Sequence, residues 1–215
     1  LVAGSRGAFS GTLKVIRAID FPPGTQHGSD LAWDGEHLWA EMTDASLTRR
    51  LYEIDPNDGS AISSFAGVGK TELGGLAWDG RYLWMAERGS ESLPSTIYKV
   101  TTTGEAVSAF TLEGVSAVRG AAWDGTSLWL AAGALEVGLD GGTEPDSDSP
   151  RLIKVDPTSG RVVDTLFLGL LNGSGSLPLL ASGLAWDGRS LWFQSSGTLV
   201  LFAADPATSA VDDWI

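Results

Sequence analysis

The chain has 215 residues, with 14 basic against 27 acidic side chains and a net charge of −13. That field disfavours nucleic acid as a partner, and no window reaches the roughly 20 apolar residues that a membrane span needs. Zero cysteines exclude disulfides and thiolate metal sites, and two histidines, His27 and His37, cannot build a three-histidine zinc centre.

In chain order, the first element is "TLKVIRAID" at 12–20, an outer strand that precedes the repeats and is expected to close the ring. "LAWDGEHLWA" follows at 31, and its phrase returns at 76, 121 and 184. The leading tryptophans, Trp33, Trp78, Trp123 and Trp186, are 45, 45 and 63 residues apart, and each is followed six residues later by a second: Trp39, Trp84, Trp129 and Trp192. A period of this length marks a propeller or another array. Asp-Gly between the paired tryptophans is a hairpin signal, because glycine accepts positive φ and the aspartate side chain bonds turn backbone.

Each repeat continues into a β-branched or aromatic run: "LYEIDPNDG" at 51, "IYKVTTTG" at 97, "LIKVDPTSG" at 152 and "LVLFAADPATS" at 199. Proline after aspartate presets a turn, and a fourth strand follows, ending in the last repeat with "AVDDWI". No repeat has a sustained 3.6-residue apolar period, so helices are not expected to cover these sheets. Four small twisted sheets then bury their faces on one another, radially. The fold class is all-β: a β-propeller of four blades of four antiparallel strands with an N-terminal closing strand, in a single domain. The repeats lie near 28–67, 73–112, 118–168 and 181–215. The eight paired tryptophans are expected between the blades as structural wedges.

"GLAWDGRYLWMAERGS" with "TIYKV" at 75–100, and "GLAWDGRSLWF" at 183–193, resemble the repeat of bacterial and archaeal extracellular propellers, the superfamily with NHL-type, YncE-like and glutamine-cyclotransferase-like members. The resemblance covers nearly the whole chain and implies the propeller fold. The segments that lead into the inner strands, "GSDLAW", "LGGLAW", "VRGAAW" and "ASGLAW", depart from the Glu-Gly-Leu of propeller glutaminyl cyclases. With few lysines, many glycines and Ser/Thr-rich loops, the expected location is extracellular, cell-surface or periplasmic.

The Asp-Gly and Asp-Pro turns share one monotonous rim, and the other rim varies. From Trp78 to Thr101 is 23 residues and from Thr101 to Trp123 is 22, whereas Trp123 to Asp156 is 33 and Asp156 to Trp186 is 30. Loops on a rigid scaffold carry binding groups, so function is expected on the variable rim. Its candidates are His27, Asp30, Glu41, Asp44, Arg49, Arg50, Glu72, Glu87, Arg88, Arg119 and Gln194. The insertion "GLDGGTEPDSDSP" at 138–150 places Asp140, Glu144, Asp146 and Asp148 as hard oxygen ligands suited to Ca²⁺, and inner-strand backbone groups suit a channel-bound ion. No other cofactor is indicated.

Gly-x-Ser-x-Gly, His-Glu-x-x-His and a phosphate-cradling glycine loop are all missing from the sequence. The chain therefore reads as a non-catalytic module that binds a protein or glycan partner through its variable rim. An enzymatic reading places Glu41, Glu72 and Glu87 as acid–base groups, with His27 as proton carrier, at the channel mouth of a hydrolase, lyase or cyclotransferase. A third reading is a subunit of a surface assembly, joined by strand pairing through its terminal edge.

Overall fold

The computed structural model describes residues 17–89, 93–115, 117–133, 150–168, 181–195, 201–208 and 210–213. Among these there are sixteen strands and no helix. Blade 1 comprises β1 (Thr25–Trp33), β2 (Leu38–Asp44), β3 (Arg49–Ile54) and β4 (Ala61–Ala66). Blade 2 comprises β5 (Leu73–Trp78), β6 (Leu83–Glu87), β7 (Ser95–Val100) and β8 (Ala106–Leu112). Blade 3 has β9 (Gly120–Trp123), β10 (Leu128–Ala132), β11 (Arg151–Val155) and β12 (Val162–Phe167), and blade 4 has β13 (Ala181–Trp186), β14 (Leu191–Ser195), β15 (Leu201–Asp205) and β16 (Ala210–Asp213). Every sheet is an antiparallel meander in chain order. The inner strands β1, β5, β9 and β13 stand beside one another in that sequence, which makes a four-bladed β-propeller.

The Asp-Gly phrase builds a four-residue loop, because Trp33 pairs with Leu38 and the residues between them stay outside the ladder. Its aspartate does two jobs at once. In blade 3, Asp124 Oδ1 accepts the amides of Thr126 and Ser127 at 2.8 and 2.7 Å, and Oδ2 accepts the Trp129 indole N–H at 2.9 Å. The same indole bond joins Trp39 to Asp34, Trp84 to Asp79 and Trp192 to Asp187. A buried indole needs an acceptor, and a turn needs a side chain to collect its amides. The spacing from aspartate to tryptophan meets both demands.

The two tryptophans of each pair have different places. Trp39, Trp84 and Trp129 are fully buried, and truncation of each to alanine would cost about 3–5 kcal/mol. The leading tryptophan of the following blade covers them: Trp78 joins the core that holds Trp39, Trp123 stacks on Trp84 with centroids 6.3 Å apart, and Trp186 joins the core that holds Trp129. The apolar cores therefore lie between consecutive blades. Trp33, first in the series, keeps 51% of its surface exposed, and Trp192 is half-buried. The expectation that all eight serve alike as buried wedges fails for Trp33. A cover for Trp33 would have to come from blade 4, and β13 and β1 do not meet as closely as the other inner strands.

The closing strand expected at 12–20 falls mostly outside the described residues. Residues 17–20 form no strand; the Arg17 guanidinium donates to the Asn57 carbonyl, and Ile19 and Asp20 pass beside Gly59. Gly104 and Gly160 take the same turn position in blades 2 and 3, against Phe65 and Phe110 on the outer strands of the preceding blades. The N-terminal segment thus lies against blade 1 where an outer strand lies against its successor.

Candidate functional site: the channel mouth

All four inner strands begin at the variable rim, and there they leave a cavity of about 270 Å³. Gly28 and Ser29 line it from blade 1, Glu72, Leu73, Gly74 and Arg88 from blade 2, Val118 and Arg119 from blade 3, and Ser182 from blade 4. The convergence of one short stretch from every blade shows that the units share an axis.

Close backbone approach makes this possible. A Cβ on Gly75 would meet backbone atoms of Gly120 and Ala121 at 2.8 and 2.9 Å, and one on Gly120 would meet the Gly183 carbonyl carbon at 2.7 Å. Inter-blade bonds run through the gap: Val118 N donates to Arg88 O and Gly183 N to Arg119 O, both at 2.9 Å. β-Bulges interrupt the pairing between Gly28 and Leu31, Leu73 and Gly75, and Ser182 and Ala185, so each of these strands changes face near the mouth.

Asp30 stands where the other blades have Gly75, Gly120 and Gly183. Its Oδ1 accepts the Leu31 amide at 3.0 Å and its Oδ2 the Leu76 amide of blade 2 at 2.9 Å, and the Ala121 amide of blade 3 also bonds to it. Burial raises its pKa to about 6, and these three amides only partly offset that rise. Of the inner-strand backbone groups expected at a channel ion, the amides of Leu31, Leu76 and Ala121 face this carboxylate.

The other acidic candidates support loops. Glu41 on β2 is buried; its Oε2 accepts the Leu73 amide at 3.1 Å, and its Oε1 lies 3.5 Å from Arg49 Nη1. Burial raises its pKa, opposed by the Leu73 amide and Arg49. Arg49 also donates to the Thr71 carbonyl. Glu87 on β6 is buried and accepts the amides of Lys70 and Thr71, the latter at 2.8 Å, and the Tyr98 hydroxyl at 3.4 Å. Together Glu41 and Glu87 hold the connection between blades 1 and 2. Asp44 caps its own loop through the amides of Ser46 and Thr48, and Arg50 reaches across the sheet to Ser64.

Glu72, Arg88 and Arg119 are brought together at the cavity. Glu72 is well exposed and sits 3.5 Å from Arg88. Arg119 Nε is buried with no hydrogen-bond partner among the described residues, and burial together with the neighbouring Arg88 lowers the guanidinium pKa. Sequence reasoning missed Ser29 and Ser182, whose only signal was their place just before the repeated phrase. Gln194 is exposed on β14, outside the cavity lining. His27 belongs to β1, but its side chain is outside the described set, as are Asp140, Glu144, Asp146 and Asp148.

No family model and no curated protein matches the chain. Solved structures do. A glutaminyl cyclase from Myxococcus xanthus aligns with a TM-score of 0.65 at 16% identity, over 92% of this chain and 73% of that one. The β-propeller domain of Cps50 (Swd1) from Myceliophteria thermophila aligns at 0.51 and 16% identity, over 94% and 58%. TolB from Acinetobacter baumannii aligns at 0.52 and 17%, over 87% and 43%. The chain thus spans about three quarters of the cyclase and about half of the other two, and at these identities the likeness is one of fold.

Proposed function

We propose that this propeller is a non-catalytic, extracellular, cell-surface or periplasmic binding module whose channel mouth takes an anionic group, a carboxylate, from a protein or glycan partner. The observation that carries the reading is Arg119 Nε, a buried donor without an acceptor among the described residues, in a cavity to which all four blades contribute. A buried donor left unpaired costs about 1–3 kcal/mol, and a ligand oxygen would recover that cost. Arg88 beside it is paired with Glu72, so the lining carries one net positive charge, that of Arg119, on a protein of net charge −13.

The acid–base alternative has less support. Glu87 accepts the backbone amides of Lys70 and Thr71 and Glu41 that of Leu73, so both carboxylates are engaged in holding the chain between blades 1 and 2. Calorimetric titration with peptides bearing a free C-terminal carboxylate, and separately with uronic-acid oligosaccharides, tests the proposal and separates the two ligand sources. Binding in either arm should weaken about tenfold or more in Arg119→Ala, as expected for loss of a charge-assisted bond. Binding indifferent to Arg119→Ala and Arg88→Ala, or no binding in both arms, would overturn it.

A further inference from the structure

On the opposite rim two of the four repeats, blades 2 and 3, hold a cation. In blade 2, Lys99 lies across the ladder from Trp84; its Nζ is 3.7 Å from Asp79 Oδ2 and sits over the rings of Tyr82 and Trp84 at 4.3 and 4.9 Å. In blade 3, Lys154 takes the same register opposite Trp129, with Nζ 3.1 Å from Asp124 Oδ2 and 5.3 Å from the indole centroid. The aspartate oxygen that accepts the indole N–H therefore has a second lone pair directed to a positive charge, and the fold places that charge identically twice.

Blade 1 keeps this slot and changes its lining. Opposite Trp39 the ladder carries Glu53 in place of lysine, and the loop position held by Tyr82 and Ser127 is His37. Asp34 Oδ2 still accepts the Trp39 indole at 2.7 Å. His37 Nδ1 lies 2.9 Å from Glu53 Oε1, and one ligand atom each from Asp34, His37 and Glu53 fall within 4.8 Å of one another. Glu53 is fixed from behind, its Oε2 accepting the Ser63 hydroxyl at 2.7 Å. A second-shell bond of this kind orients a ligating carboxylate.

We propose that blade 1 binds a divalent transition-metal cation in the position that the lysine ammonium occupies in blades 2 and 3, with Asp34 Oδ2, His37 Nδ1 and Glu53 Oε1 as its protein ligands. One imidazole nitrogen and two carboxylate oxygens form a borderline donor set suited to Zn²⁺, with water completing the coordination at this half-exposed position. Two acids beside one imidazole carry the negative charge that the exchange of lysine for Glu53 leaves unbalanced. The ion supplies what the tethered ammonium supplies elsewhere, and its role is to lock the loop between β1 and β2 to β3.

The test is titration of the metal-stripped full chain with ZnCl₂, read by calorimetry and by thermal melting. One site is expected, with a rise in Tm. His37→Ser, which installs the blade 3 residue, should weaken affinity about tenfold or more. Glu53→Lys installs the residue that blades 2 and 3 already fold with; it should abolish the zinc-dependent rise and raise the Tm of the metal-free protein, because the ammonium then fills the slot. Binding that persists unchanged in both variants, or the absence of heat and of any Tm change at about millimolar zinc, would overturn the assignment.

Discussion

Asp30→Asn isolates the electrostatic role of the carboxylate that joins three blades. Burial raises the Asp30 pKa from 3.8 to about 6, so between those values the folded chain holds a proton that the unfolded chain has released. Stability from this group is therefore greatest below about pH 4, falls as pH rises from there to about 6, and is level above that. At about 1.4 kcal/mol per unit, the loss above pH 6 amounts to about 3 kcal/mol. Glu41, also raised by burial, acts in the same direction. Asp34, Asp124 and Asp187, whose pKa values are lowered, act below about 4, where protonation begins to destabilise.

Asn is neutral at every pH and nearly isosteric, so its constant cost cancels when each protein is compared with itself across pH. Urea denaturation followed by tryptophan fluorescence at pH 4.5 and 7.5 is the assay. The stability difference between wild type and Asp30→Asn should shift toward the variant by about 2 kcal/mol at the higher pH, because about 1 kcal/mol of the effect is already spent at pH 4.5; this is equivalent to roughly 4–8 °C in relative Tm for a domain of this size. A difference that stays constant within 0.5 kcal/mol, on the order of the usual scatter for surface substitutions, would refute a buried, titrating carboxylate at the axis.

Two further substitutions test the frame. Asp124→Asn keeps one acceptor for the turn amides but turns an amide nitrogen on the Trp129 indole, and should cost about 2 kcal/mol by urea denaturation. Trp129→Phe removes the donor, so the double variant should cost less than the sum by about 1 kcal/mol, and additive costs would count against the bond. Gly74→Ala forces a methyl into the Val118 carbonyl and should cost about 3 kcal/mol or more, whereas Gly80→Ala, with φ of +94° and open space, should cost about 1–2 kcal/mol. Equal costs at the two glycines would remove the close-approach argument.

The fold was legible because its signal is periodic: the Asp-Gly phrase, the paired tryptophans and the Asp-Pro turns recur, and each recurrence has one physical cause. The site was legible only as a rim. Glu41 and Glu87 read as mouth carboxylates, yet Glu41 binds the amide of Leu73 at the start of β5 and Glu87 binds those of Lys70 and Thr71 just before it, contacts between blades that no pattern within one repeat announces. Arg88 and Arg119 read in the sequence as separate rim residues; that they line one cavity depends on backbone passing within van der Waals distance at glycines 74, 75 and 120. Asp30 reads in the sequence as a rim residue; its standing in a column otherwise made of glycine is visible in the four aligned phrases and has meaning only on an axis.

That column bears on how such a chain assembles at all. Units with nearly the same lettering can dock on the wrong neighbour, and misordered docking is a characteristic failure of repetitive chains. A lone carboxylate among glycines breaks the tie: the first unit carries an anchor for the amides of the second and third that none of its look-alikes can offer in its place. The residue that fills the hub thus also numbers the blades.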